Sequence, residues 1–237
     1  MLCVVGSAAS QADANLSGDY DVAGRTLHGR AYTGEVRIAP HGKGYAIAWR
    51  LDEGDTYRGM ALKVDNVLGA VYWSERDDFR GRGLVVYRIV EGGLEGIWLP
   101  VDADGRATGR ENLKGSPDLT GDYEITLGEN PDGLTNYDGH VHMERQGDVV
   151  QLAWYTPQLS YVGNGVRIGD LLVVGYALQR APGTIGYCVE GSGLHGFWTY
   201  GDETALAHEM LKRHATVELP APEANANPAA CPATATP

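Results

Sequence analysis

The stretch Leu16-Ser17-Gly18-Asp19-Tyr20 returns later in the chain as Leu119-Thr120-Gly121-Asp122-Tyr123. A series of Tyr, Gly and Trp positions follows each copy in the same order. The strongest later match is Gly93-Leu94-Glu95-Gly96-Ile97-Trp98 against Gly193-Leu194-His195-Gly196-Phe197-Trp198. Self-similarity at a period of about one hundred residues predicts two copies of one folded unit. We place these repeat units at residues 16–114 and 119–213.

Between the matched positions the hydrophobic pattern alternates with a period of two, as in half-buried strands. Tyr45, Ile47 and Trp49, for example, would share one face of a strand. Turn clusters rich in Gly, Asn and Asp separate such segments. In the first unit the pattern predicts strands near 18–24, 31–39, 44–51, 56–64, 67–74, 84–90, 94–99 and 107–113.

The expected fold class is therefore all-β, with two homologous antiparallel units of about eight short strands each. Closing each unit into a small up-and-down barrel or a barrel-like sandwich would leave no unpaired edge strand. A single larger sheet structure built from both copies, or a two-bladed stack, is the alternative. The segment from Thr204 to His214 has residues that suit a helix, but its counterpart in the first copy contains Gly109, so we expect a final strand there.

The composition limits the possible partners. The 237 residues carry 31 Asp and Glu against 19 Lys and Arg, a net charge of -12, which would repel nucleic acid and anionic lipid surfaces. No run of eighteen apolar residues is present, so no membrane-spanning helix is expected. The remaining partners are an unknown protein or a small molecule, and the oligomeric state is open.

Residues 1–12 are apolar and rich in small side chains, and they end in Ser-Gln-Ala. This pattern fits the end of a secretory signal peptide and predicts a secreted or periplasmic protein; the alternative is a disordered intracellular N-terminus. Residues 218–237 are dominated by Pro, Ala, Asn and Thr, which predicts disorder. Cys188 and Cys231 could then form a disulfide, although two unpaired thiols are equally compatible with the sequence.

The repeated series of Gly-x-Tyr, Tyr-x-Gly, Trp, Leu-x-Gly-x-Trp and Glu-x-Leu positions resembles a group of exported bacterial proteins of unassigned function, some of them labelled fibronectin-binding. The resemblance covers nearly all residues from Leu16 to Leu211, and Leu94-x-Gly96-x-Trp98 is its most distinctive part. It implies export and a β unit, and no reaction. The strand number and the opening Gly-x-aromatic also resemble the calycin and avidin barrels, although Tyr20 stands where those families have Trp.

One face of each predicted unit is strongly aromatic. If this face points inward, it forms either a packed core or a pocket for a small aromatic or apolar molecule. The candidate ligand-binding aromatic residues are Tyr32, Trp49, Tyr57, Tyr72 and Trp98 in the first copy and Tyr137, Trp154, Tyr161, Tyr176 and Trp198 in the second, with Tyr87 and Tyr187 on the same face.

Glu111 and Glu209 complete the candidate site. Each stands two positions before a leucine, so in a strand it would share the interior face with that leucine. A buried carboxylate must be hydrogen-bonded or neutralised. We expect each glutamate to accept hydrogen bonds from a Tyr hydroxyl, a Trp indole or a backbone N–H; a catalytic acid is the alternative.

His140 and His142 lie on one strand face, a spacing that occurs in metal sites. The sequence fixes no third strong ligand, and an exposed outer strand face explains the pair equally well. No cofactor motif is present: Gly-x-Ser-x-Gly and Cys-x-x-Cys are absent, and Gly81-x-Gly83 does not open a helix.

Three functional hypotheses follow, and we predict no cofactor and no catalytic residue. The first is a secreted or periplasmic, non-enzymatic binding or scaffold protein, with a small-molecule-binding calycin-like barrel as a variant of it. The second is an enzyme that uses an aromatic barrel interior with Tyr and Glu acid–base groups. The third is a metal-binding module on the two histidines.

Overall fold

The computed structural model describes residues 16–214 except 79, 102–104 and 192. The first half of the chain forms β1 (Gly18–Arg25), β2 (Ala31–His41), β3 (Gly44–Leu51), β4 (Thr56–Val64), β5 (Val67–Ser74), β6 (Gly83–Val90), β7 (Gly93–Pro100) and β8 (Gly109–Lys114). The second half forms β9 (Gly121–Glu129), β10 (His140–Gln146), β11 (Val149–Tyr155), β12 (Ser160–Ile168), β13 (Leu171–Ala177), β14 (Gly183–Glu190), β15 (Gly193–Thr199) and β16 (Ala207–Arg213).

The strands form two closed antiparallel barrels of eight strands each, which confirms the predicted fold class. The first barrel has the order β1-β16-β15-β14-β5-β4-β3-β2, and the second has the order β10-β11-β12-β13-β6-β7-β8-β9. Strand β16 confirms the expected strand after Thr204. The described part of the chain contains no helix, and so none that could cross a membrane.

The barrels and the repeats do not coincide along the chain, and the expectation of one barrel per repeat needs this correction. The first barrel combines β1–β5 of the first repeat with β14–β16 of the second, and the second barrel combines β6–β8 with β9–β13. The chain crosses between barrels after β5 and again after β13. Pairing of β5 with β14, and of β13 with β6, replaces the two hairpins that separate repeats would form.

A contiguous apolar cluster lies between the two barrels. It is formed by outward-facing side chains, including Val71 of β5, Val86 of β6 and Val173 of β13, each at most 2% exposed. Gly69 lies against the same surface: a Cβ added there would be 2.8 Å from Val173 and 3.0 Å from Val86, so glycine allows the sheets to approach. Burial of this face favours the association of the two barrels.

Inside each barrel a second set of apolar residues forms a core. In β3, Ile47 and Trp49 point inward and are buried, whereas Ala48 and Arg50 are exposed, as the period of two predicts. At one end of the first barrel Tyr20 is fully buried. Its hydroxyl donates to the carbonyl oxygen of Leu16 (2.8 Å), and it accepts from Nε of Arg213 (3.1 Å). These hydrogen bonds fix the position of the Tyr20 ring at this end of the first barrel.

Three of the sequence predictions lie outside the described residues. They are the signal-peptide remnant at 1–12, the disordered tail at 218–237, and the disulfide partner Cys231.

Candidate functional site

Glu209 is a carboxylate inside the first barrel. Strand β16 places it on the interior face with Leu211, as its spacing predicts, and its side chain is 4% exposed. Its Oε2 accepts from the hydroxyl of Tyr32 (2.6 Å), and its Oε1 accepts from Nε1 of Trp49 (3.0 Å) and from the hydroxyl of Tyr187. The expected hydrogen bonds from Tyr and Trp are thus present.

Glu111 occupies the equivalent position in the second barrel and is also 4% exposed. Its Oε1 accepts from Nε1 of Trp154 (3.0 Å) and from the hydroxyl of Tyr87, and its Oε2 accepts from the hydroxyl of Tyr137 (2.8 Å). Because of the strand exchange, each glutamate belongs to one repeat while its tryptophan partner belongs to the other.

Burial dominates the electrostatics of both clusters. It raises the pKa of Glu111 and of Glu209, and the donated hydrogen bonds offset only part of this shift. Burial, followed by the nearby carboxylate, also raises the pKa of Tyr87, Tyr187 and Tyr32. The tyrosines therefore remain protonated and act as donors to the carboxylates.

Each barrel encloses an open cavity next to its glutamate. The cavity of the first barrel, here called the first cavity, measures about 590 Å³, and the second cavity measures about 470 Å³. Both volumes are typical of small-molecule sites. The two sequence interpretations, packed core and pocket, each describe part of the interior, because residues such as Ile38 and Leu68 fill the rest of the first barrel.

The structure brings all the candidate ligand-binding residues to these cavities, but it divides them by barrel and not by repeat. The first cavity is lined by Tyr32, Trp49, Tyr57, Tyr72, Trp198 and Glu209, and the second by Trp98, Glu111, Tyr137, Trp154, Tyr161 and Tyr176. In barrels built from single repeats, Trp98 would lie with Trp49 and Trp198 with Trp154. The strand exchange instead places Trp198 in the first cavity and Trp98 in the second.

The two cavities differ at this pair of tryptophans. Nε1 of Trp198 donates to the hydroxyl of Tyr32 (3.1 Å) in the first cavity. Nε1 of Trp98 is buried in the second cavity without a hydrogen-bond partner among the described residues. Its ring meets Tyr137 edge to face at a centroid distance of 6.2 Å.

Sequence reasoning missed Tyr200 and the rims of both cavities. Tyr200 lines the first cavity, and it follows Trp198 by two positions, so the period of two could have indicated it. Its counterpart in the first repeat is Pro100, which left no repeated signal. Charged residues at the mouth of the first cavity include Glu53 and Asp55. These lie in a turn, where no periodic pattern marks which side chains reach the cavity.

The two histidines lie on the outer face of β10, away from both cavities. The ring of His140 stacks on Tyr155 at a centroid distance of 4.8 Å, and Nδ1 of His142 is 2.7 Å from Oδ1 of Asp122. Among the described residues no group of three or more His, Cys, Asp and Glu side chains could hold a metal ion. A metal site at His140 and His142 therefore stays a prediction.

Cys188 lies on β14, is 2% exposed and is disulfide-bonded. The proposed pairing with Cys231 involves a residue outside the described part of the chain and also stays a prediction.

Fold and site together define a pair of strand-exchanged barrels, each with an aromatic cavity and a buried, hydrogen-bonded glutamate. Comparison with known proteins adds no relative: no family model, no curated protein and no solved structure matches this chain.

Proposed function

We propose that this chain is a non-enzymatic binding protein that holds one small molecule in each barrel and acts outside the cytoplasm, as a secreted or periplasmic protein. The observation that carries the proposal is the pair of open cavities, each lined by aromatic rings with a few converging polar groups. Apolar walls with few polar groups are typical of ligand sites. The disulfide at Cys188 supports export, because disulfides persist mainly in oxidising compartments.

The hydrogen bonds favour binding over proton transfer. Each glutamate accepts from three fixed donors, and the raised pKa of the tyrosines opposes their use as bases. The carboxylates and their donors instead give each cavity a rigid polar wall. A ligand would be oriented by this wall and held by contact with the aromatic rings.

Calorimetric titration with indole tests the proposal, since indole is a small, neutral aromatic molecule with one N–H donor. We expect saturable binding at two sites per chain. Tyr57→Leu should weaken the site in the first barrel, and Tyr161→Leu the site in the second, each by about three- to tenfold. Each variant should leave the other site unchanged.

Tyr155→Leu is the matched control, because Tyr155 is exposed on the outside of the second barrel. It should bind indole as the unmodified chain does. Absence of saturable binding, or binding that neither cavity variant changes, would rule out the cavities as ligand sites.

A further inference from the structure

The two cavities share most of their aromatic walls, but their rims differ. In the first barrel the turn between β3 and β4 brings Glu53 and Asp55 to the mouth. In the second barrel the corresponding turn, between β11 and β12, brings Gln158 and Leu159. Asn130 and other uncharged residues complete the second rim. The difference in charge predicts that the two cavities select different ligands.

Aromatic rings surround Tyr72 in the first cavity. The distance between ring centroids from Tyr72 is 5.9 Å to Trp49, 5.9 Å to Tyr57, 6.3 Å to Trp198 and 6.0 Å to Tyr200. The faces of such rings carry partial negative charge and attract cations. A cavity walled by several of them is the arrangement that binds alkylated ammonium groups.

In the second cavity the residue equivalent to Tyr72 is Tyr176, which also contacts aromatic rings. Trp154 lies at a centroid distance of 5.8 Å and Tyr161 at 5.5 Å. Pro100 stands in the position that corresponds to Tyr200, so the second cavity has no counterpart of that one ring. The second cavity therefore serves as an internal comparison within the same chain.

The carboxylates of the first cavity are only partly neutralised by the protein. Glu53 pairs with Arg30, and Glu75 pairs with Arg58 at 2.5 Å. Asp55 makes no ion pair with any described residue. Burial is the main cause of the raised pKa of Tyr57, and the nearby carboxylate of Asp55 adds to the shift, so Asp55 lies close enough to act on the aromatic wall.

Glu209 adds a second carboxyl group at the inner end of the first cavity. Arg76 is the one cation in the described lining that pairs with no described carboxylate. The described lining has four acidic side chains, Glu53, Asp55, Glu75 and Glu209, and two arginines, Arg30 and Arg76. The net charge of -12 over the whole chain would in addition raise the local concentration of cations.

We propose that the first cavity prefers a small organic cation with an alkylated ammonium group over a neutral molecule of the same shape, whereas the second cavity has no such preference. The ammonium group lies against the rings around Tyr72, with the carboxylate of Asp55 at the mouth of the cavity. This inference rests on the proposed binding function, because it names the ligand class of one of the two cavities.

Calorimetric titration of the intact chain with choline tests the proposed cation site. The matched control ligand is the neutral alcohol in which a carbon atom replaces the nitrogen of choline. We expect one choline site per chain, with an affinity at least about tenfold higher than for the neutral alcohol. Tyr57→Leu should weaken choline binding by about tenfold, because it removes one ring of the enclosure. Asp55→Asn should weaken it by about threefold and reduce its dependence on salt.

Tyr161→Leu is the control in the second barrel and should leave choline binding unchanged. Thermal unfolding of each variant checks that it is folded. Equal affinity for choline and the neutral alcohol, or loss of choline binding only in Tyr161→Leu, would overturn the assignment of the cation to the first cavity. If indole still binds in that case, the proposed binding function stands; if indole also fails to bind, both proposals fall.

Discussion

Glu209→Gln should destabilise the protein more than Glu111→Gln, although the two glutamates occupy equivalent positions. Either change removes a buried carboxylate and its desolvation cost, so these contributions cancel in the comparison. What differs is the tyrosine that donates to Oε2 of each glutamate. The comparison therefore isolates the hydrogen bond between Trp198 and Tyr32.

The magnitude follows from counting donors and acceptors. In Glu209→Gln the amide oxygen can take the place of Oε1 and keep the bonds from Trp49 and Tyr187, which puts the amide NH₂ against the Tyr32 hydroxyl. That hydroxyl already accepts from Nε1 of Trp198 at 3.1 Å, and its own proton loses its acceptor. An unsatisfied buried donor costs about 1–3 kcal/mol.

In the second barrel the corresponding tyrosine, Tyr137, can still accept a hydrogen bond after Glu111→Gln. The Tyr137 hydroxyl donates to Glu111 at 2.8 Å, and Trp98 does not donate to it. After Glu111→Gln this hydroxyl can accept from the amide and turn its proton towards the open cavity. We therefore expect Glu209→Gln to be about 1–3 kcal/mol less stable than Glu111→Gln.

Thermal and urea unfolding at pH 7, followed by far-ultraviolet circular dichroism, measure the difference. For a chain of this size each kcal/mol corresponds to about 2–4 °C in Tm. Equal stability of the two variants, or lower stability of Glu111→Gln, would refute this account of the hydrogen bonds.

The pH dependence of the double variant extends the same argument. Burial raises the pKa of both carboxyl groups in the folded state, so the folded state binds their protons more readily than the unfolded state does. Their contribution to stability is fully present below the unfolded pKa of about 4.3 and is lost as the pH rises through the folded pKa. Relative to the chain with both Glu111→Gln and Glu209→Gln, the unmodified protein should gain stability as the pH falls from 7 towards the unfolded pKa. Loss of relative stability on acidification would contradict the direction of the shift.

Two further predictions concern the exchange of strands and the close packing within a barrel. Fragments 16–114 and 119–214 should unfold cooperatively only when mixed, because each carries strands of both barrels. The mixture should elute as a one-to-one complex in size-exclusion chromatography. Independently folded monomers would contradict the topology. Gly93→Ala should be about 1–3 kcal/mol less stable in urea than Gly193→Ala, since a Cβ at Gly93 would overlap the carbonyl oxygen of Leu113, whereas at Gly193 the nearest atom would be 3.0 Å away. Equal stability of these two variants would show that the backbone at Gly93 moves freely.

Much of the secondary structure could be predicted because it is encoded locally. The predicted strand at 44–51 matches β3, and the last strand of the first copy, predicted at 107–113, is β8 at Gly109–Lys114. The hydrogen bonds of the two glutamates were also predictable, since a carboxylate on an interior strand face requires donors and the same face carries Tyr and Trp.

The partners of those glutamates could not be assigned to the correct repeat. A tryptophan repeated in both copies fits the interior of either barrel equally well, and strand pairing between distant segments leaves no local periodic signal. The cavity volume was unpredictable for a related reason, because it depends on how several rings pack and not on which residues share a face.

The exchange did leave one indirect signal in the sequence. Val67–Val71 on β5 and Leu171–Gly175 on β13 are buried at every position. A strand with one solvated face alternates between apolar and polar residues, whereas a strand buried on both faces is continuously apolar. These runs therefore indicate a second contact surface, and the contact between the barrels supplies it.

This arrangement makes the two cavities depend on each other. Each glutamate cluster takes its carboxylate from one repeat and its tryptophan from the other, so neither cavity can form from a single repeat. The rims differ at equivalent positions: Asp55 stands in the first cavity where the apolar Leu159 stands in the second. Such a difference changes one cavity and leaves the aromatic walls of both intact. Duplication and strand exchange thus provide two related aromatic interiors, and the turns at their mouths give the two cavities different charges.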